Sequence, residues 1–249
     1  MMAMANSAAE KMVASGERTL SVKDVTKTYG TGAVAFQALR GVDFDAHAGE
    51  FVYLAGPSGS GKTTLLSIMG CVLKPTSGEV RIFDELISGK KESQLPRLRL
   101  SYIGFIFQGH NLIASLDARE NVAMPMRMRG YSVRDANREA DRLLERVGLG
   151  DKLERPPAEL SGGQRQRVAI ARALSGAPPI ILADEPTAAL DADTGMSVTL
   201  LLKEMAREGG HTVVVVTHDN RIYHLADRIV HIEDGHIVAK ESGPESAKP

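Results

Sequence analysis

The feature that most constrains the fold is a glycine-rich loop at residues 56–63, GPSGSGKT, which follows the apolar segment Phe51–Ala55. A loop of form G-x-x-x-x-G-K-[ST] between a strand and a helix aims backbone N–H groups at phosphate oxygens. It therefore predicts an α/β fold with a nucleotide site. Lys62 would reach the terminal phosphates, and Thr63 would give its hydroxyl to Mg²⁺. The residues expected to hold the nucleotide are Gly56, Ser58, Gly59, Ser60, Gly61, Lys62, Thr63 and Thr64.

A second glycine motif, LSGGQ, occupies residues 160–164. Ser161 stands where the N-cap of a helix belongs, and the positive end of a helix favours anions. Phosphoryl transfer depends on positioning and charge neutralisation, and the first loop alone leaves the far side of a γ-phosphate without a donor. We therefore expect this motif to complete the nucleotide site of a second subunit. The residues concerned are Ser161, Gly162, Gly163 and Gln164.

Polar side chains follow three apolar segments, where ligands of open α/β sheets bind. Asp184 and Glu185 end one segment, and they are expected to hold Mg²⁺ and to polarise the attacking water, respectively. His218 ends another; alone it would more often be a surface histidine, but here it is expected to contact the γ-phosphate and orient Glu185. Gln108 follows residues 102–107, and its amide oxygen could reach Mg²⁺ and the water.

Tyr29 precedes the loop and is a candidate for stacking on adenine, although an aromatic before a glycine is equally often a plug at a strand end. Cys71 is the single cysteine and lies in an apolar run, which favours a buried thiol in a reducing compartment.

Composition excludes some classes of function. The chain has 30 Lys and Arg against 31 Asp and Glu, so it lacks the basic excess typical of nucleic-acid binding, and no nucleic-acid partner is expected. No apolar run approaches the length of a membrane-spanning helix, and the best, residues 212–216, reads as a buried strand.

The pattern along the chain predicts one domain at residues 19–243, between a flexible tail at 1–18 and a polar tail at 244–249. Residues 20–55 alternate like antiparallel strands, which predicts a small β subdomain over the nucleotide. Residues 109–160 lack strand signals and predict an inserted helical subdomain. Its clearest helix starts at Ser132 and ends at Gly148, with one apolar face: Val133, Ala136, Ala140, Leu143, Leu144 and Val147. A final hairpin pairs residues 229–233 with 236–239, and the chain is polar from Lys240 onward.

In this order the motifs resemble those of the ATP-binding subunit of ABC transporters over residues 20–243. The resemblance implies a P-loop NTPase of ABC type, with a mixed, largely parallel core sheet. It also implies head-to-tail dimers that bury two Mg-ATP, with hydrolysis driving a membrane permease. By that match Tyr29 stacks on adenine, Gln108 is the Q-loop glutamine, Glu185 the catalytic base and His218 the switch histidine. Asp191 falls on the D-loop, which contacts the opposite site.

Within the family, residues 70–71, 75–79 and 106–112 are similar to the macrolide-export and lipoprotein-release branch. This implies export or extraction across the envelope, a location on the cytoplasmic side of the inner membrane, and a permease docked near Gln108 and the helical subdomain; a periplasmic adaptor stays open. Two departures are Ala188-Ala189 in the D-loop and Gly109 after Gln108, which suggest altered hydrogen bonding and a more mobile turn. Methionines in residues 124–128 suit an adaptable interface, but would equally suit a core.

Three other classes of protein fit the motifs less well. A soluble ABC ATPase acting on ribosomes or DNA would usually carry two such domains or a long coiled-coil insert. A small-molecule kinase would not need Ser161 or a water-directing Glu185. A scaffold that binds ATP and anchors envelope machinery would differ from a transporter in its partners. The transported substrate cannot be inferred, because the permease would select it.

Overall fold

The computed structural model describes residues 17–188 and 190–243, so most of the predicted N-terminal tail, the C-terminal tail and Ala189 lie outside the described residues. The strands are β1 (Arg18–Tyr29), β2 (Phe36–His47), β3 (Phe51–Ala55), β4 (Ser77–Ile82), β5 (Glu85–Leu86), β6 (Ile103–Ile106), β7 (Ile180–Asp184), β8 (Thr212–Val216), β9 (Arg228–Glu233) and β10 (His236–Ser242). The helices are α1 (Lys62–Met69), α2 (Leu95–Tyr102), α3 (Ala118–Met128), α4 (Val133–Arg146), α5 (Gly162–Leu174) and α6 (Ala192–Gly209).

A six-stranded sheet in the order β10-β9-β3-β8-β7-β6 forms the centre of the fold. All its neighbouring strands pair in parallel except β9 and β10, which form the predicted hairpin. The hairpin is longer than expected, because Lys240 to Ser242 pair with β9 instead of starting a polar tail. Since β3, β6, β7 and β8 run in parallel, the residues that follow them meet at one edge of the sheet.

The central sheet is covered on both faces, as its continuous apolar strands predict. Successive side chains of a strand point to opposite faces. Phe51 and Tyr53 accordingly belong to one hydrophobic cluster, and Val52 and Leu54 to another. The first cluster includes residues of α3, α4, α5 and α6, and the second includes residues of α1 and of the antiparallel strands. The edge of the sheet at which β3, β6, β7 and β8 end therefore lies between two hydrophobic clusters.

The second sheet has four strands in the order β2-β1-β4-β5, and its pairs are antiparallel, as the alternation in residues 20–55 predicts. The last residue of β1, Tyr29, pairs with the first residue of β2, Phe36. Buried residues of both strands, including Val22 and Leu39, pack in the same cluster as Leu65 of α1. This packing places the Tyr29 end of the sheet beside the phosphate loop.

Helices α3 and α4 lie within residues 109–160, whose limits as a subdomain stay a prediction. The Ser132 hydroxyl accepts a hydrogen bond from the Asp135 N–H and caps α4, as expected. The expectation for Val133 is wrong, because its side chain is 60% exposed, whereas the rest of the predicted stripe is buried. Val133 is the first residue of the helix, and the buried stripe begins one turn later, at Ala136. Among the described residues, no helix has both the length and the apolar character needed to span a membrane.

Candidate active site

The loop between β3 and α1 is shaped by glycines with two different roles. A Cβ on Gly56, at φ +141°, would lie 2.1 Å from the Ile232 carbonyl oxygen, so packing against β9 requires glycine there. Gly59 has φ +78°, which also favours glycine, but a Cβ there would meet no atom within 4 Å. The loop thus packs against β9 at Gly56 and leaves free space at Gly59, as a backbone cradle for a phosphate chain requires.

Lys62 places a cation inside this cradle. Its Nζ donates hydrogen bonds to the carbonyl oxygens of Gly56, at 2.8 Å, and Pro57, at 2.6 Å. Burial lowers the pKa of Lys62 from its ordinary value, while Glu185 and Asp184 act in the opposite direction. The loop therefore holds the ammonium group where it would neutralise charge on a bound phosphate.

Oxygen atoms suited to Mg²⁺ lie next to the cradle. The Thr63 hydroxyl donates a hydrogen bond of 3.0 Å to Asp184 Oδ1 at the end of β7. Burial raises the pKa of Asp184, and the bond from Thr63 opposes this shift. Mg²⁺ typically takes one or two protein oxygens together with substrate phosphates and waters. This donor set fits that chemistry, and within residues 17–188 and 190–243 no group of three or more His, Cys, Asp or Glu side chains is placed to hold a metal.

Glu185 and His218 are brought together at the ends of β7 and β8. His218 Nδ1 lies 2.9 Å from Glu185 Oε1. Glu185 adopts φ +48°, a left-handed conformation that is unfavourable for this residue type, and its N–H donates to the Val216 carbonyl at 3.0 Å. The sheet thus holds a strained backbone whose side chain contacts the histidine predicted to orient it.

One cavity of about 580 Å³, within the size range of small-molecule sites, contains most of the predicted residues. Its lining includes Tyr29, Gly56, Ser58, Gly59, Ser60, Gly61, Lys62, Thr63, Thr64, Gln108, Glu185 and His218. Asp184 accepts a hydrogen bond from Thr63, which is one of these lining residues. The structure therefore assembles the phosphate loop, the Q-loop glutamine and the strand-end residues around one space.

The far end of this cavity carries two aromatic rings. Tyr29 is 39% exposed, lies under Lys27 with Nζ 5.3 Å from its ring centroid, and its hydroxyl is 3.4 Å from Thr64 Oγ1. The exposed ring fits adenine stacking better than a plug at a strand end. Phe36, which is 57% exposed, also lines the cavity, and the sequence analysis missed it. Its signal was the pairing of two aromatics across the turn between β1 and β2.

The LSGGQ residues lie elsewhere, around a cavity of about 340 Å³ that shares no lining residue with the first. Ser161 Oγ accepts from the Gln164 N–H at 3.2 Å, and Gln164 Oε1 accepts from the Ser161 N–H at 2.9 Å. Asp191 Oδ1 caps α6 through the Thr194 N–H, which lowers the pKa of Asp191. Ser161, Gly163, Gln164 and Asp191 line this cavity, and Gly162 lies between them in sequence. A single chain does not bring them to its own phosphate loop.

Comparison with known proteins agrees with this geometry. Residues 39–188 match the ABC transporter family. The chain is 48% identical over 221 residues to an uncharacterized ABC transporter ATP-binding protein of Thermotoga maritima, covering 89% of this chain and 94% of that protein. It is 42% identical over 235 residues to the macrolide export ATP-binding/permease protein MacB of Azoarcus sp., covering 92% of this chain but only 36% of that protein. The chain therefore spans little more than a third of the length of this MacB.

A solved structure shows the same fold. The ATP-binding cassette MJ0796, in a dimeric post-hydrolysis state bound to ADP and Pi, superposes with a TM-score of 0.85 at 44% identity. The match covers 90% of this chain and 98% of that one. These findings confirm the predicted fold class and the resemblance to the macrolide-export branch. The chain therefore belongs to the ABC transporter family.

Proposed function

We propose that this chain is the energy-coupling subunit of an exporter, in which two copies form a head-to-tail dimer that buries two Mg-ATP. The observation that carries the proposal is the separation of two half-sites on one chain. The cavity of about 580 Å³ holds the phosphate loop, and the cavity of about 340 Å³ holds Ser161 and Asp191. A head-to-tail partner would place one half against the other, so that each nucleotide is enclosed from both sides.

Within each composite site, the residues of one chain bind the nucleotide and orient the water. Backbone N–H groups within the loop at residues 56–63 and the Lys62 ammonium hold the phosphates, and Tyr29 stacks on the base. Glu185 accepts a proton from the attacking water, and His218, at 2.9 Å, fixes the carboxylate for that role. Gln108 contacts the water through its amide. From the partner chain, Ser161 and the amides of Gly162 and Gly163 donate to the γ-phosphate.

Mg²⁺ completes this account of the site. Thr63 and Asp184 would hold the ion, with Gln108 as a third oxygen donor, and the ion would neutralise charge on the β- and γ-phosphates. The 3.0 Å bond between Thr63 and Asp184 keeps both oxygens at the same place beside the cradle.

The partner beyond the second copy is proposed to be an integral membrane permease, which holds this chain at the cytoplasmic face of the inner membrane. Docking is placed beside Gln108 and on the helical region, where Ile113 is 36% exposed. The methionines in residues 124–128 are expected to form either an adaptable interface or part of the core, and their exposure supports some of each. Met126 is 1% exposed and belongs to the core, whereas Met128 is 65% exposed and suits an interface.

Co-purification tests the coupling function. Membranes are solubilised in detergent with ATP, and the proteins bound to tagged Glu185→Gln chain are identified, with Lys62→Ala as the control that should not hold ATP. A permease with a large extracytoplasmic domain, enriched with Glu185→Gln over the control, is the expected result. Recovery of cell-wall enzymes or ribosomes in its place would contradict the proposal and favour the scaffold or the soluble class.

A further inference from the structure

Arg172, in the last turn of α5, binds the segment that follows Gln108. Its guanidinium donates hydrogen bonds to the carbonyl oxygen of Asn111, at 2.5 Å, and to that of His110, at 2.8 Å. Arg172 therefore connects the helix that begins after Ser161 to the turn that begins at Gln108. None of the roles proposed above uses this side chain.

The turn that Arg172 holds has an uncommon backbone conformation. His110 has φ +62° and Asn111 has φ +50°, so two consecutive residues other than glycine are left-handed. His and Asn enter this region more readily than most residues, but two in succession are uncommon, and surrounding contacts help to hold them there. The carbonyls that Arg172 binds belong to these two residues.

The clamp formed by the two hydrogen bonds from Arg172 to the carbonyls of His110 and Asn111 lies on a closely packed helix end. A Cβ on Gly104 of β6 would lie 2.1 Å from the Ala173 carbonyl oxygen, so the backbone of α5 packs directly on the strand that leads to Gln108. Burial lowers the pKa of Arg172 from its ordinary value. A desolvated guanidinium loses stabilising free energy for each N–H donor that lacks a hydrogen-bond acceptor. Here carbonyls of the turn accept two hydrogen bonds from it.

His110 adds a second contact between the same two segments. Burial lowers the pKa of its imidazole, the charge of Arg165 lowers it further, and backbone groups of Gly109 and Gly162 oppose the shift. The ring therefore lies near Arg165 and Gly162 at the start of α5, and within residues 17–188 and 190–243 its Nε2 is buried without a hydrogen-bond partner.

We propose that Arg172 is a positioning residue for ATP hydrolysis, which sets Gln108 by holding the turn of His110 and Asn111. Because the same helix carries Ser161 at its other end, Arg172 also joins Gln108 of one nucleotide site to the residues that serve the second. This inference rests on the proposed roles of Gln108 and Ser161. It predicts that loosening the clamp impairs the hydrolytic step and spares nucleotide binding, which depends on the phosphate loop and Tyr29.

Two substitutions test the clamp. Arg172→Met removes both hydrogen bonds, and Arg172→Lys keeps a cation that cannot reproduce the planar fork. We expect Arg172→Met to lower kcat about tenfold, within the range known for small misplacements of catalytic groups, with the KM for ATP changed less than about twofold. Arg172→Lys should lie between Arg172→Met and the unchanged protein. If Arg172→Met does not fold, the same split between kcat and KM is required of Arg172→Lys.

Arg129 provides a matched control. It is also an arginine whose pKa is lowered by burial, and it also donates to backbone carbonyls, those of Leu100, Ser101 and Gly176. It does not bond to the turn after Gln108. Arg129→Met should lower the melting temperature while kcat stays within about twofold of the unchanged protein. An equal loss of kcat in Arg129→Met and Arg172→Met, or no loss in Arg172→Met, would overturn the inference.

A spectroscopic readout reports on the turn itself. A Cβ at Gly109 would meet only Asn111 Oδ1, at 3.4 Å, so Gly109→Cys can carry a nitroxide, and the single native cysteine, Cys71, is buried. The label should become more mobile with Arg172→Met and stay unchanged with Arg129→Met. Equal mobility in the two backgrounds would overturn the inference. If Gln108→Ala itself retains the turnover of the unchanged protein, the proposed role of Gln108 fails instead, so the two failures are distinguishable.

Discussion

At the scale of single residues, the site includes a backbone conformation that is unfavourable for the residue that adopts it. Glu185 is left-handed at φ +48°, and its N–H is held by the Val216 carbonyl of the neighbouring strand. Strain of this kind costs on the order of 1–3 kcal/mol and persists where packing enforces it. Strand β8 is buried throughout and β7 is buried in its first four residues, so the sheet helps to position the carboxylate.

One histidine away from the site should make stability depend on pH. Burial lowers the pKa of His211, and Arg146 lowers it further, while a 2.6 Å contact with the Pro178 carbonyl opposes the shift. Its pKa is therefore lower in the folded than in the unfolded chain, where histidine titrates near about 6.5. The unfolded chain takes up the proton first, so the free energy of unfolding should fall as the pH drops below about 6.5.

The substitution His211→Gln isolates this effect. Urea unfolding at about pH 7.5 and 5.5 should show a smaller loss of stability in the variant than in the unchanged chain, because one protonation site of the unfolded state is gone. His110, whose pKa is also lowered, contributes to both proteins and cancels in the difference. An equal pH dependence in the two proteins would contradict a lowered pKa for the partly buried His211.

At the scale of elements, two helix starts share one capping chemistry but are expected to differ in function. Ser161 caps α5, and Ser132 caps α4, each by accepting the N–H of the residue three positions on. Loss of an N-cap hydroxyl costs about 1 kcal/mol, so Ser161→Ala and Ser132→Ala should lower the free energy of unfolding by similar amounts.

Their effects on turnover should separate. Ser161→Ala removes a donor proposed to act on the partner's nucleotide, so ATPase activity should fall about tenfold or more, in line with the loss of one preorganised donor. Ser132→Ala should leave the rate per folded molecule unchanged. Equal rates in the two variants, measured at a temperature where both are folded, would show that Ser161 acts only as a cap.

The sequence predicted elements better than contacts. Short apolar runs predicted the strands that the structure has at Ile180–Asp184 and Thr212–Val216, because such runs are typical of strands buried in a parallel sheet. The motifs placed the strand-end residues correctly at one edge, since parallel strands end together. The exposure of Val133 and the bonds of Arg172 were not predictable, because they depend on where one element ends against another. Phe36 was missed for a related reason: its role depends on pairing with Tyr29.

At the scale of the whole molecule, one chain carries two separate halves of the proposed composite nucleotide site. The cavity at the phosphate loop and the cavity at Ser161 share no lining residue, and each lacks the groups that the other holds. The nucleotide is therefore expected to act as a connector between copies of the chain. Binding energy from ATP would close the dimer, and hydrolysis would release it, which is the cycle that an energy-coupling subunit needs.

The most direct test of this account is sedimentation of Glu185→Gln with and without Mg-ATP, together with its rate of phosphate release. Hydrolysis should be abolished, ATP should still bind, and the chain should shift from monomer to dimer only when ATP is present. Adding Lys62→Ala to the same chain should return it to the monomer, because the phosphate loop then loses its cation. Turnover at the unchanged rate in Glu185→Gln, or a monomer that binds ATP without associating, would contradict the composite site.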